Sequence, residues 1–229
     1  MTTPVPRTIV RQLWFGLGGA ALFTALASLQ GSIRPGYDAR QQAVSALSLG
    51  PDGWIQQLNF IVFGVSLLIT VPALRRLMYG GVGARSYPTA TALSGLSLVV
   101  VAFIAQDPAP GYDPEQLGLA LPTARGLMHL ALAAVAMISS IVGLFIMAAR
   151  FARDPHWRAW VRPTQLVAVF AIVCVAIYAV WSTRATGFAG VFERLAILAS
   201  PVWALAFARR LGTGVPFMVG PEPAQASSG

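Results

Sequence analysis

Residues 126–149 read GLMHLALAAVAMISSIVGLFIMAA, an unbroken apolar run with a single ionisable residue, His129. As an α-helix this run rises about 36 Å. The hydrocarbon core of a bilayer is about 30 Å thick. Nothing but lipid or a very large core accommodates such a segment, and this chain of 229 residues has five more of the kind. They cover 13–29, 54–74, 88–105, 164–181 and 191–208. The expected fold is all-α: a polytopic bundle of six transmembrane helices over residues 1–210. Residues 211–229, rich in Gly, Pro, Ser and Ala, are expected to form a disordered tail.

Composition agrees. Hydrophobic residues make up 56% and charged residues only 10%, against roughly 25% charged in soluble domains. The formal charge is +8, from 16 basic residues, all arginine, against eight acids. These arginines flank apolar spans, so anionic headgroups are the expected partners and nucleic acid is not. The single cysteine, Cys174, lies within a span and reads as packing. The first span follows Arg7 and Arg11 and contains Ala25-Leu26-Ala27, which resembles a signal-peptidase site. Trp14 and the continuation to Gln30 favour a retained helix.

Orientation follows from arginine. The N-terminus, the segments after the second and fourth spans and the C-terminus together carry eleven arginines; the other side carries five. Both termini are therefore expected in the cytoplasm, in the cell membrane. Six of the eight acids, including Asp38, Asp107 and Glu193, fall on the opposite, outer side.

The outer loops share a motif. Pro35-Gly36-Tyr37-Asp38 follows the first span, and Pro-Gly-Tyr-Asp recurs at 110–113 after the third, each followed by Gln at the same offset. Related helical hairpins are one reading. A turn in which Pro fixes φ, Gly accepts positive φ and Asp caps is the other. Residues 39–50 alternate Val44 and Leu47 with Arg40, Gln41, Ser45 and Ser48, the pattern of a short interfacial helix ended by Gly50-Pro51.

Polar residues at membrane depth narrow the search for a site. His129 lies one turn inside the fourth span and four residues after Arg125, on the same helix face. Ionisable residues within spans usually face a bundle interior or a cavity. Glu193 and Arg194 open the sixth span and, as helix neighbours, point about 100° apart, so each should meet another element. Glu193 is expected to face Arg125 or His129, and Arg194 to face Asp107 or Asp38. Gln56, Gln57 and Asn59 are expected to bond across helices. Arg150, Arg153, Trp157 and Arg158 read as a headgroup anchor. With only two histidines, on opposite sides, no metal site and no cofactor is expected. Neither a phosphate loop nor a nucleophile elbow is present.

The reading taken is a lipid-binding, accessory or structural bundle with a polar outer pocket. Its partners would be membrane lipids or another membrane protein, and no enzymatic activity is assigned. The alternative is a membrane-embedded enzyme or small transporter, with His129 and Glu193 as candidate catalytic groups beside the outer arginines.

The order of motifs resembles a known family. It runs from a Tyr-Asp-then-Gln loop with Ser45-x-Leu47, through an Asp-rich outer loop and Gly126-x-x-His129, to Phe192-Glu193-Arg194. This is similar to the prokaryotic membrane family catalogued as domain of unknown function 998, over about residues 13–210. In that family Ser-x-Leu is often Ser-Glu-Leu; here Ala46 replaces the acid. The resemblance implies a six-helix integral membrane protein and no particular activity.

Overall fold

The computed structural model describes residues 5–108, 122–182 and 187–217. It contains six α-helices: α1 (Arg7–Ile33), α2 (Gly53–Leu77), α3 (Ser86–Val101), α4 (Ala124–Phe151), α5 (Val161–Trp181) and α6 (Ala189–Gly212). No strand occurs among the described residues. The helices α1, α2, α4, α5 and α6 are long and apolar enough to cross a membrane; α3 is a shorter apolar helix of 16 residues. Each helix packs on its neighbours in sequence, and α6 returns to pack on α1. Because α4 and α6 also touch, α1, α2, α3, α4 and α6 form a ring, and α5 packs against α4 and α6 outside its central space.

Local chemistry explains the helix ends. Pro6 precedes α1, where a missing N–H costs nothing, so the helix starts six residues earlier than hydropathy alone suggests. It stops at Pro35-Gly36, and Gly36 adopts φ +76°, a conformation that glycine reaches without strain. Thr123 accepts a hydrogen bond from Gly126 N at 3.0 Å and so caps α4. Pro72 and Pro201 lie inside α2 and α6.

Small residues bring the helices close, as is usual where lipid removes the hydrophobic drive between them. A Cβ on Gly64 would lie 2.5 Å from Gly95 O and 2.8 Å from Val99 Cγ2. Between α1 and α2, Gly19 lies against Ser66 in the same manner. Gly64→Leu is expected to force α2 and α3 apart and to destabilise by about 2–3 kcal/mol. Thermal unfolding in detergent measures this; an unchanged midpoint would mean that α2 and α3 are not in backbone contact.

The ends of the ring differ. At one end lies an aromatic cluster that includes Phe151, Trp157, Trp203, Phe207 and Phe217. At the other the α1–α2 loop turns into the ring and plugs it. Within the plug, the 3₁₀ turn Val44–Ser48 buries Ala46 and Leu47 completely, against Phe23, Phe60 and Phe63. This corrects the interfacial helix expected over 39–50. Its carbonyls are claimed from outside: Arg194 Nη1 bonds Ala39 O at 2.8 Å and Gln42 O at 3.0 Å. A helix through these residues would need those carbonyls for itself.

Residues 211–217, expected within the disordered tail, are instead packed against the helices. Leu211 and Phe217 are buried in the aromatic cluster, and Trp157 Nε1 donates to Pro216 O at 2.8 Å. Residues 218–229, and the second Pro-Gly-Tyr-Asp motif at 110–113, lie outside the described residues.

Candidate functional site

Two adjacent cavities lie among the helices. The first, about 230 Å³, is a chamber walled by α1, α2, α3, α4 and α6. Its wall runs on α4 from His129 to Leu144, a rise of about 22 Å along the helix axis. Most of the lining is apolar, with hydroxyls from Thr91, Ser94, Ser140 and Ser200 among it. Pro201 of α6 also lines it and lacks the N–H that would bond the carbonyl of Ile197. The second cavity, about 390 Å³, is a vestibule between the plug, α4, α5 and α6. Ser45, His129, Ala133, Met137, Glu193 and Ala196 line both, so these six stand where chamber and vestibule adjoin, a place we call the neck.

The neck is built from hydrogen bonds that fix each polar group. His129 is buried, and its Nδ1 lies 2.6 Å from Ile104 O. A carbonyl only accepts, so Nδ1 carries the proton, and in the neutral ring Nε2 is an acceptor. Glu193 Oε2 accepts from Val44 N at 2.6 Å. Ser45 Oγ donates to Gln106 Oε1. Among the described residues, His129 Nε2 and Glu193 Oε1 have no hydrogen-bond partner in the protein. Both belong to residues that line the cavities.

Several expected pairings do not form. Arg125 is exposed and lines neither cavity. The inner side of the first turn of α4 is occupied by Asp107, which accepts from Thr123 N at 2.9 Å and Thr123 Oγ1 at 2.6 Å and lies against Gly126. Arg194 meets neither Asp107 nor Asp38. It holds the plug through Ala39 O, Gln42 O and the Tyr37 hydroxyl, and also donates to Gly190 O at 2.9 Å. Asp38 pairs with Arg40 at 2.9 Å. The hydrogen bond from the Arg40 side chain, helped by the Arg40 N–H, lowers the Asp38 carboxyl to a pKa of about 2. No three His, Cys, Asp or Glu side chains among the described residues are grouped to hold a metal ion.

The family model described as protein of unknown function (DUF998) matches residues 17–210. The chain belongs to DUF998. No curated protein and no solved structure matches it. The DUF998 match runs from within α1 to near the end of α6 and includes every residue of the neck.

Two residues of the expected headgroup anchor are elsewhere in this DUF998 fold. Arg150 is 4% exposed; its Nη1 donates to Met78 O at 3.0 Å and Val82 O at 3.1 Å, and its guanidinium lies over the Phe217 ring. Trp157 is fully buried. Arg153 and Arg158 are exposed at the same end. Gln56 and Asn59 do bond across helices, Gln30 Nε2 to Gln56 Oε1 at 3.1 Å and Asn59 Nδ2 to Phe23 O at 3.0 Å.

Sequence reasoning passed over Ser94, Thr91 and Tyr87, although their spacing put them on one face of α3. All three line the chamber. The same spacing links His129, Ala133, Ala136 and Ser140 on α4, a stripe of small and polar residues on an otherwise bulky helix.

Proposed function

We propose that this DUF998 protein crosses the cell membrane six times, with both termini in the cytoplasm, and binds a lipid-like amphiphile in its central chamber. The single observation that carries this reading is the chamber itself. It is long, apolar and walled by helices, and the polar residues of the neck stand between it and a vestibule beneath the plug. Ligand sites of this kind are mostly apolar with a few placed polar groups. A chain occupies the chamber, and its head sits at the neck.

The charge distribution supports the orientation. The aromatic end carries eleven arginines on the ends of α1–α6 and their loops, which is the positive side of the rule for cytoplasmic loops. The crossing by α3 is the least direct. Its 16 residues rise about 24 Å, and α2 and α4 flank it on both sides. Exposed Arg153 and Arg158 then meet anionic headgroups.

A hydrolytic role for His129 has less behind it. Its Nδ1 is bonded to Ile104 O, and no nucleophile is bonded to Nε2 among the described residues. The bundle therefore reads as a binding protein.

Native mass spectrometry of the detergent-purified protein tests the proposal. The expected result is a co-purifying amphiphile of defined mass. Ala133 lines both cavities and is exposed, so bulk added there enters the void. Ala133→Trp should cut occupancy by about tenfold, a change of about 1.4 kcal/mol, while leaving the elution profile unchanged. Equal occupancy in the variant would refute binding in the chamber.

A further inference from the structure

The wall of the vestibule has a one-sided chemistry. The chain carries 16 basic residues, yet among the described residues no arginine lines either cavity. Arg125 faces out, and Arg194, although next to Glu193, is turned into the plug. What does line the vestibule is two carboxylates, Asp107 and Glu193, with His129, amides and hydroxyls. Asp107 is occupied by Thr123. The groups left at the neck are Glu193 Oε1, an acceptor when the carboxyl is ionised, His129 Nε2, an acceptor in the neutral ring, and the lone pairs of Ser45 Oγ, whose proton goes to Gln106.

An anionic head placed there would face a carboxylate and no cation. Phosphate and carboxylate recognition calls for arginine forks or clustered N–H donors, and the neck has neither. An ammonium head carries three N–H donors and can serve all three acceptors, whereas a hydroxyl head serves one of them. Below the neck, the narrow apolar chamber takes the chain.

Resting on the chamber reading above, we infer that the ligand carries a hydrogen-bond-donating head without negative charge, an amine or a hydroxyl, on an apolar chain. The same wall rejects free fatty acids and lipids whose head presents a phosphate to the neck. This exclusion is specific to the cavity. The exposed arginines at the far end remain free to meet anionic lipids from outside.

The test uses the full chain in an uncharged detergent near neutral pH, with dodecylamine, dodecanol and dodecanoic acid as probes of one chain length. Bound and free protein are counted by native mass spectrometry. Dodecylamine and dodecanol should bind at least about tenfold tighter than dodecanoic acid, equivalent to about 1.4 kcal/mol. Glu193→Gln keeps an acceptor for Val44 N but removes the charge. If the head is an amine, the variant should lose the amine's advantage over the alcohol. If it is a hydroxyl, dodecanol binding should survive the change. Dodecanoic acid binding as tightly as the other two would overturn the head assignment, even with the chamber intact. Failure of all three probes, with Ala133→Trp also without effect, would overturn the chamber reading instead. The comparison of the three probes on the unaltered chain needs no variant to fold.

Discussion

Trp157→Ala should be among the most damaging single substitutions in this protein, lowering its stability by about 3–5 kcal/mol. Trp157 is fully buried at the centre of the aromatic end. It stacks on Phe151 with ring centroids 5.1 Å apart and planes 13° from parallel, and it meets Trp160, Phe207 and Phe217 edge-on or tilted at 5.2–5.6 Å. Arg210 lies over its ring at 5.0 Å. Its Nε1 also holds Pro216 O, so the loss should free the segment that follows α6. Trp157→Phe keeps most of the ring contacts and loses only that bond, which should cost about 1 kcal/mol. Thermal unfolding in detergent ranks the variants, and limited proteolysis reports the C-terminal release. If Trp157→Ala melts with the unaltered protein and its C-terminus stays protected, this cluster does not organise its end of the helices.

The burial of Trp157 shows where sequence reasoning stops. Arginine beside tryptophan at the end of an apolar span describes a headgroup anchor and a buried cluster equally well. The choice is made by distant partners. Arg150 is drawn inward by the carbonyls of Met78 and Val82 after α2, and Trp157 by Phe217 after α6. The plug is similar. Its alternation over 39–50 suits an interfacial helix, and contacts from α6 turn it inward: Arg194, Glu193 on Val44 N, and the close approach of Gly190 to Ala39 O and Gln42 O. The helices themselves were legible because lipid imposes a length and an apolar composition on each. His129 was legible for the same reason, as an ionisable residue in a span that must be turned from lipid. The chamber was half legible: the stripe Tyr87, Thr91, Ser94 stood in the sequence at helical spacing, but polar stripes serve packing as often as cavities. What no local pattern could state is that α1, α2, α3, α4 and α6 leave a chamber between them.

The plug supplies the second large effect. Arg194→Ala removes the donor to Ala39 O and Gln42 O and the partner of the Tyr37 hydroxyl. Ala39 O is left without its side-chain donor, at a cost of about 1–3 kcal/mol, and Gln42 O keeps only the Tyr37 hydroxyl, at 3.3 Å. The expected destabilisation is on the order of 3 kcal/mol, with the loop between α1 and α2 loosened most. Arg194→Lys should recover little, because one ammonium cannot replace a planar fork reaching several acceptors. Arg125→Ala is the matched control, since Arg125 is exposed; it should stay within about 0.5 kcal/mol. Ala46 is fully buried in the plug, so a cysteine there, introduced with Cys174→Ser, reports opening by its maleimide labelling rate. That rate should rise in Arg194→Ala and not in Arg125→Ala. The plug closes the vestibule above the neck, so exchange of bound amphiphile should quicken in step with the labelling. Unchanged labelling with unchanged stability would show that Arg194 does not hold the plug, and Glu193 through Val44 would be left as its tether to α6 beside the backbone contacts.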